Sequence, residues 1–282
     1  SRGLGDVYKR QTSKFAVTKV RLNEERTQVT QVDTRADTVA GEEPLEIRVD
    51  GQTLTTTMRT PGHDVELAHG FLHSEGHIQA ARDIESAKYC EGTTRDGVNT
   101  YNLLDIEMRD DNVISLKELR LTLTNSACGV CGTSSIEELA KKTRYPIPHV
   151  PVDPLVIAQL PDRLREGQKQ FRKTGGIHAA GAFTLGGEPI VIREDVGRHN
   201  AADKVIGHLL MEGLLPASDL ILVMSSRASF ELVQKAAMAG FCQLVAVSAA
   251  SSLAVDTARK TGMALVGFAR GDRFNLYSGD LK

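Results

Sequence analysis

Two cysteines three positions apart, each followed by glycine, carry the strongest chemical signal in this sequence. Cys128 and Cys131 lie in the stretch Asn-Ser-Ala-Cys-Gly-Val-Cys-Gly, residues 125–132. A helix is predicted directly afterwards, because residues 134–137 read Ser-Ser-Ile-Glu, the form of a capping box. The partial positive charge of a helix N-terminus favours the thiolate, which is the reactive form of cysteine. We therefore predict an exposed loop that presents a reactive sulfur atom.

The same cysteine spacing has other uses, which this sequence supports less well. A structural zinc site needs four ligands, but the remaining cysteines, Cys90 and Cys242, do not form a second pair. A c-type haem attachment needs histidine after the second cysteine, where Gly132 stands. A thioredoxin-like redox pair stays a rival, although no proline lies between the two cysteines and no aromatic residue flanks them.

The composition is that of an ordinary soluble globular protein. The 282 residues are 41% hydrophobic and 25% charged, and their net charge is −2. This charge gives no general attraction to nucleic acid or to an anionic membrane, so local clusters must hold any anionic ligand. No apolar run approaches the roughly 20 residues that a membrane-spanning helix needs. Four cysteines in a chain of this length fit a reducing compartment, and we expect a cytoplasmic protein.

The first half of the chain is predicted to be rich in β-strands. Residues 1–12 resemble nothing that follows and are interpreted as a non-native or disordered leader. Residues 13–150 are predicted to form an N-terminal β-rich part that includes the cysteine loop. Strands are expected within 14–33, and alternating strands at 45–49 and 52–57 flank an Asp-Gly turn that is typical of a hairpin.

One helix is predicted in this N-terminal part. Thr60 is expected to cap it and Pro61 to occupy its first position, and Gly76 is expected to end it. His69 and His73 are four residues apart on this helix. We interpret them as a polar face of the helix rather than as metal ligands.

A proline-rich stretch, with four prolines between residues 146 and 154, predicts a stiff extended connection to a second unit. Residues 151–282 are predicted to form this α/β domain. Its predicted strands are 180–184, 189–193, 220–224, 244–247 and 264–268, and its predicted helices are 200–211, 230–239 and 252–260. Apolar strands that alternate with helices indicate a layered α/β fold in which helices cover a largely parallel sheet.

Polar clusters lie where predicted strands end and helices begin. Glu194 and Asp195 end one strand and precede Arg198, His199 and Asn200. The carboxyl ends of strands are where open α/β sheets bind ligands. The arginine fork suits a phosphate, and the following helix N-terminus adds backbone donors. Either carboxylate could accept from the adjacent N–H donors of a guanine edge.

Similar arrangements follow two later strands. Arg227 lies in Ser-Ser-Arg-Ala-Ser at 225–229, and Arg270 and Arg273 follow the strand at 264–268. Two or three anion sites at one edge of a sheet would suit a ligand with several phosphates.

A glycine pair precedes the first strand of this domain. Gly175 and Gly176 would let the backbone approach a ligand closely, and Thr174 adds a hydroxyl group. His178 is either an ordinary turn or core histidine or a group that transfers a proton to a cysteine sulfur.

In combination, these motifs resemble those of the FdhD/NarQ family, the formate dehydrogenase accessory sulfurtransferases. The resemblance extends from about residue 45 to residue 277, and Ser226 stands where the family pattern has glycine. The shared segments are 46–49, 58–61, 70–72, 75–76, the cysteine loop, 174–176, 194–200, 203–204 and 267–270.

The resemblance implies a function for the cysteine loop. Members of the family take a sulfur atom from a cysteine desulfurase as a persulfide, which here would form on Cys128, with Cys131 needed or assisting. They pass the sulfur to the molybdenum of Mo-bis(molybdopterin guanine dinucleotide), and this cofactor then matures formate dehydrogenase. The cofactor is bound as a substrate, and no catalytic metal of the protein's own is expected.

The resemblance also implies a binding segment, a fold and an assembly. The family's cofactor-binding stretch maps to Gly267, Phe268, Ala269, Arg270, Gly271 and Asp272. The fold should be similar to that of cytidine deaminases, a three-layer α/β/α domain preceded by a smaller β-rich part, and the protein should form a homodimer.

Two other functions are compatible with parts of this pattern. A chaperone could bind and deliver the cofactor without handling sulfur, and it would tolerate serine at both Cys128 and Cys131. A zinc hydrolase of the deaminase type needs a His-x-Glu element. His178 is followed two residues later by Ala180, where that glutamate would stand.

Overall fold

The computed structural model describes residues 7–8, 10–90, 100–109 and 144–282. Cys128, Cys131 and the helix predicted after them lie outside these ranges. Among the helices in the described ranges, none is long and apolar enough to cross a membrane.

The N-terminal part contains two antiparallel or mixed sheets, which confirms that it is β-rich. The hairpin between β3 and β4 is present, and its turn residues Asp50 and Gly51 have φ values of 48° and 76°. Positive φ at both positions suits a tight hairpin turn. The strands are β1 (Thr12–Leu22) paired with β2 (Val29–Ala40), and β3 (Glu43–Val49), β4 (Gln52–Arg59), β5 (Ile84–Tyr89) and β6 (Leu103–Met108) in the order β4-β3-β6-β5. Helix α1 (Asp64–Glu75) packs on the four-stranded sheet.

The second half of the chain contains a six-stranded sheet in the order β12-β11-β10-β9-β7-β8. Only the β9–β10 and β10–β11 pairs of this sheet are parallel, so the prediction of a largely parallel sheet is wrong. The reason is that antiparallel hairpins, β7–β8 and β11–β12, extend both sides of the parallel core. The strands are β7 (His178–Thr184), β8 (Pro189–Asp195), β9 (Leu220–Met224), β10 (Gln243–Ala246), β11 (Ala264–Arg270) and β12 (Arg273–Ser278).

Helices cover both faces of this sheet, which confirms the three-layer α/β/α prediction. Strand β9 shows why: Leu222 and Met224 face one helical layer, whereas Ile221 and Val223 face the other. A strand buried on both faces is apolar at every position, as Leu220–Met224 is. The helices are α2 (Pro154–Gly167) and α3 (Lys169–Thr174) on one side and α4 (Arg198–Met211), α5 (Phe230–Met238) and α6 (Ser252–Thr261) on the other.

Helices α1 and α4 join the two halves of the chain. A Cβ atom at Gly70 would lie 1.9 Å from the carbonyl oxygen of Asp203, and one at Gly207 would lie 1.8 Å from that of Glu66. No side chain fits at such distances, so the two backbones touch only because both positions are glycine. The division of the chain into residues 13–150 and 151–282 stays a prediction.

Helix α1 does not begin where the sequence predicts. It starts at Asp64, after His63 in a left-handed conformation with φ of 57°. Thr60 is engaged elsewhere: its N–H donates to Asp195 Oδ2 and its hydroxyl oxygen accepts from the N–H of Val196, both at 3.1 Å. These contacts with strand β8 replace the predicted cap, although the helix does end at Gly76.

Part of the predicted leader is packed against the protein. Val7 is fully buried. Gln11 donates to the carbonyl oxygen of Pro61 at 2.9 Å and accepts from Gln170 at 2.7 Å. The leader prediction is therefore corrected at these positions.

The two histidines of α1 are buried, so the prediction that they form a polar face is wrong. His69 is 6% exposed and its Nδ1–H donates to the Val65 carbonyl oxygen at 2.8 Å, whereas His73 is 1% exposed and neither of its ring nitrogens has a hydrogen-bond partner among the described residues. Burial, with a smaller effect from Arg144, lowers the pKa of His73 to about 4. The helix face is buried because α4 and α5 pack over it, which local sequence does not reveal.

We expect acid to destabilise the protein partly through His73. The unfolded chain binds a proton at this site near pH 6.5 and the folded chain only near pH 4, so stability is full above pH 6.5 and is lost as the pH falls towards 4. When the pH is lowered from 7.5 to 5, the free energy of unfolding should fall by about 2 kcal/mol less in His73→Phe than in the wild type. Urea unfolding at both pH values measures this, and an equal fall in both proteins would contradict it.

Candidate functional site

The polar segments predicted from the sequence meet at one edge of the six-stranded sheet. Strands β8, β9, β10 and β11 end at this edge, and β7 begins there, because β7 runs antiparallel to its neighbours. The segments 174–178, 194–200, 225–229 and 267–272 therefore lie next to each other. The structure confirms that the predicted anion-binding clusters share one sheet edge.

A cleft of about 700 Å³ opens between this edge and helices α2 and α3. Its size falls within the range of small-molecule binding sites. The sequence-predicted residues that line it are Gly175, Gly176, His178, Ala269, Arg270 and Gly271.

The C-terminal segment holds Arg270 at the rim of this cleft. Its Nε donates to the Val247 carbonyl at 3.0 Å, and the rest of the exposed guanidinium has no hydrogen-bond partner within the described ranges. An irregularity in the β11–β12 pairing sets this geometry, with positive φ at both Phe268 (53°) and Gly271 (55°). Positive φ is costly for a bulky residue such as Phe268 and is found mainly at functional sites.

The glycine pair leaves the cleft open. Gly175 has φ of 67° and ends α3, which accounts for glycine there. Gly176 has no such need: within the described part of the chain, a Cβ atom on it would meet only the Thr174 carbonyl, at 3.9 Å. The Thr174 hydroxyl donates to the Gln170 carbonyl at 2.9 Å, so it serves the helix rather than a ligand.

His178 lies at the start of β7 with a defined neighbour. Ser225 Oγ accepts from the N–H of Ala179 at 2.9 Å and lies 3.5 Å from His178 Nδ1. Because this hydroxyl already accepts, its own proton is available to His178 Nδ1, which favours the tautomer with the proton on Nε2. Burial, followed by the nearby charge of Arg198, lowers the pKa of His178.

A positive region adjoins the cleft at the start of α4. Arg198 is half-buried and forms no hydrogen bond or ion pair with any other described residue. Burial, with the charges of Arg198 and Lys235, lowers the pKa of His199 to about 4, and His199 lies 3.5 Å from Ser229 Oγ. Arg227 is exposed close by on the same edge. The N-terminus of α4 has no side-chain cap and no acidic residue in its first turn, so its N–H groups add to the attraction for an anion, whereas Glu231 already occupies the first turn of α5.

Glu194 has an internal role in place of the predicted guanine contact. Its two carboxylate oxygens accept from the backbone N–H groups of Gln170 and Phe171, each at 2.8 Å. The carboxylate therefore caps α3 and holds it against the sheet edge.

Asp195 and Asn200 are also internal. Asp195 is fully buried, and its Oδ2 pairs with Lys204 Nζ at 2.7 Å and accepts from the N–H of Thr60. Asn200 donates to the Met58 carbonyl at 2.8 Å. Both residues join the N-terminal part to α4, so neither is free for the predicted ligand contacts.

Three charged or aromatic residues that line the cleft were missed by sequence reasoning. Asp162 and Arg165 on α2 and Phe171 on α3 line the wall that faces the sheet edge. No motif marks them, because only the packing of α2 against the sheet brings them to the cleft.

Two cysteines lie in the described ranges. Cys242 is buried, its Sγ donates to the Leu220 carbonyl at 3.2 Å, and burial raises its pKa to about 11, so its thiol is unreactive. Cys90 is half-buried. Within the same ranges, no three or more His, Cys, Asp or Glu side chains group closely enough to hold a metal ion.

Comparison with known proteins agrees with the motifs around the cleft. Residues 40–282 match the FdhD/NarQ family. This chain belongs to that family. Relatives named sulfur carrier protein FdhD include one from Corynebacterium efficiens, 60% identical over 89% of this chain and 92% of its own length. Another, from Streptomyces coelicolor, is 51% identical over 88% of this chain and 89% of its own length.

The fold also matches a solved structure. A crystal structure described as that of a formate dehydrogenase accessory protein from Desulfotalea psychrophila superposes with a TM-score of 0.70 at 20% identity, covering 94% of this chain and 96% of that one. At this identity the match supports the fold alone.

We expect Gly176→Ala to impair ligand binding without destabilising the protein. Among the described residues, the added methyl group meets no atom closer than 3.9 Å, but it projects where a ligand would approach the backbone. Calorimetric titration with GDP should show at least about tenfold weaker binding. Gly186→Ala, in an equally open turn between β7 and β8, is the matched control and should bind normally. Unchanged affinity in Gly176→Ala would contradict close backbone approach at this position.

Proposed function

We propose that this protein is a sulfurtransferase that carries a persulfide sulfur from a cysteine desulfurase to Mo-bis(molybdopterin guanine dinucleotide) for formate dehydrogenase. The observation that carries the proposal is the cleft at the sheet edge, bordered by arginines that form no ion pair with any described residue. The names of the relatives, sulfur carrier protein FdhD, support the sulfur-carrying part of the role.

The cleft suits the phosphates of a guanine dinucleotide cofactor, which is the substrate. Arg270 lines it, and Arg198 and Arg227 lie on the same edge without ion-pair partners among the described residues. A guanidinium offers phosphate two parallel donors, and the backbone at Gly176 can be approached closely. His178, with its proton on Nε2, adds a neutral donor.

The sulfur chemistry belongs to the cysteine loop. The Cys128 thiolate attacks the terminal sulfur of the desulfurase persulfide; a new S–S bond forms on Cys128 and the desulfurase cysteine leaves as its thiolate. Cys131 either assists Cys128 in carrying the sulfur or attacks the Cys128 persulfide. On delivery the S–S bond would break, Cys128 would leave as its thiolate, and the two electrons that convert the terminal sulfur to a sulfido ligand would come from the reduced molybdenum of the substrate, Mo(IV) becoming Mo(VI).

Two partner proteins take part in the proposed reaction. A cysteine desulfurase is the donor, formate dehydrogenase is the client, and the protein acts in the cytoplasm as a homodimer. The rival function is a cofactor chaperone that binds the dinucleotide without handling sulfur.

We expect one added sulfur atom on Cys128 after incubation with a cysteine desulfurase and cysteine. Intact-protein mass spectrometry followed by tryptic mapping locates it. Cys128→Ser should abolish the added mass, whereas Cys90→Ser, which removes a half-buried cysteine elsewhere, should retain it. No added sulfur with an active desulfurase would favour the chaperone instead.

Reversing the charge at Arg198 should weaken cofactor binding. A charge-assisted hydrogen bond contributes about 1.5–3 kcal/mol, so Arg198→Glu should lower affinity for the isolated cofactor or for GDP at least about tenfold. Arg21→Glu, on the exposed strand β1, is the control of equal charge change and should have no effect. Intact affinity in a folded Arg198→Glu protein would remove Arg198 from the binding site.

A further inference from the structure

We propose that a second pocket, at the sheet edge opposite the cleft, binds the side chain of a tryptophan that a partner protein presents. The pocket lies where β9 and β10 begin and β7 ends, and its volume is about 240 Å³. Most of its wall is apolar and consists of Val150, Pro151, Val156, Ile157, Leu185 and Ile221. The proposed sulfur transfer uses none of these residues, so the inference goes beyond that function and does not rest on it.

One buried polar group interrupts this apolar wall. Gln243 lines the pocket and is 2% exposed, and its side-chain Nε2 donates to the Val150 carbonyl oxygen at 3.2 Å. This bond fixes the orientation of the amide, and its Oε1 accepts no hydrogen bond from any described residue. A buried acceptor without a donor is destabilising, so Gln243 indicates a ligand that brings an N–H or O–H group into the pocket.

The size of the pocket limits what this ligand can be. A water molecule occupies about 30 Å³ of liquid, so the pocket holds far more than one bridging water. Drug-sized ligands occupy pockets of about 300–1,000 Å³, which is larger than this one. The space suits one aromatic side chain.

The chemistry of the wall favours indole among the aromatic side chains. The indole N–H is a donor with no acceptor beside it, so a single bond to Gln243 Oε1 satisfies all of its polar atoms. A phenol hydroxyl also has lone pairs, which an apolar wall does not match, and a phenyl ring offers no donor at all.

The surroundings of the pocket are those of a protein interface. Leu155 and Leu281, which adjoin lining residues in the sequence, are 77% and 56% exposed. Asp153 and Lys282 also line the pocket, and their Oδ2 and Nζ atoms form an ion pair at 3.5 Å. Tryptophan is enriched among the residues that anchor interfaces by filling a pocket within such apolar and polar surroundings.

The partner is a different protein, because this chain contains no tryptophan and a second copy of it cannot supply the indole. Strands β9 and β10 begin at the pocket and end at the cleft, so the two sites lie at opposite edges of the sheet. The partner can therefore dock while the cleft stays open.

The test is titration of the full chain into a fixed low concentration of N-acetyl-tryptophanamide. Indole emission comes from the probe alone, because the chain has no tryptophan. The emission should shift to the blue and its anisotropy should rise, with a dissociation constant of about 1 mM or below. The same probe methylated at the indole nitrogen should bind at least about tenfold more weakly, because it leaves Oε1 unpaired.

Three variants locate the binding. Leu185→Glu places a charge in the apolar wall and should weaken binding at least about tenfold. Leu214→Glu, at an exposed leucine that does not line the pocket, is the matched control and should bind normally. Gln243→Met removes the acceptor and should abolish the preference for the unmethylated probe. If Gln243→Met does not fold, the two probes on the wild type decide the role of Oε1 by themselves.

Several results would overturn the proposal. Equal wild-type affinity for the two probes removes the hydrogen bond to Gln243, and tighter binding of N-acetyl-tyrosinamide removes the preference for indole. Undiminished binding in a folded Leu185→Glu protein places the probe outside the pocket. Absence of binding at millimolar concentrations of the chain rejects the site outright, and it leaves the proposed sulfur transfer untouched.

Discussion

The buried ion pair between Asp195 and Lys204 is the contact on which the rest of the site depends. Both side chains are at most 1% exposed, and the remaining polar groups around them are bonded: Thr60 donates its N–H to Asp195 and accepts from Lys204 at its carbonyl oxygen. A buried pair is tolerable only when its polar atoms are satisfied in this way, and loss of one partner would leave an uncompensated charge. The pair ties the end of β8 and the first turns of α4 to the N-terminal part.

This junction explains why one short motif contains two kinds of residue. Along residues 194–200, Glu194, Asp195 and Asn200 turn inwards and hold α3, the N-terminal part and α4 in place. Arg198 and His199 remain available to a ligand because Glu194, Asp195 and Asn200 make the contacts that hold these elements together. Substitution of an inward residue should therefore alter binding only indirectly, by moving the elements that form the cleft.

The charges at this sheet edge favour an anion before any ligand binds. The arginines there lack acidic partners among the described residues, and burial keeps His178 and His199 neutral at physiological pH. Arginines without an ion-pair partner among the described residues, next to the N-terminus of α4, attract an anion, although the Glu231 carboxylate of α5 lies close enough to interact with Arg198 and His199. Asp162 is the one carboxylate among the described residues that line the cleft, and it lies on the wall formed by α2.

The local sequence by itself determined which segments form helices and strands and which polar residues stand at their ends. The hairpin at Asp50-Gly51, the alternation of strands and helices after residue 154 and the clustering of polar segments at one edge follow from periodicity, turn residues and the rule that neighbouring strand ends share an edge. The tertiary structure alone decided which polar groups are free. Thr60 and Asp195 are 135 positions apart, yet their contact moves the start of α1 and occupies a carboxylate. The burial of His73 and the position of Asp162 in the cleft likewise depend on which distant helices pack there. A sequence pattern within one segment does not show which other segments will lie next to it in space.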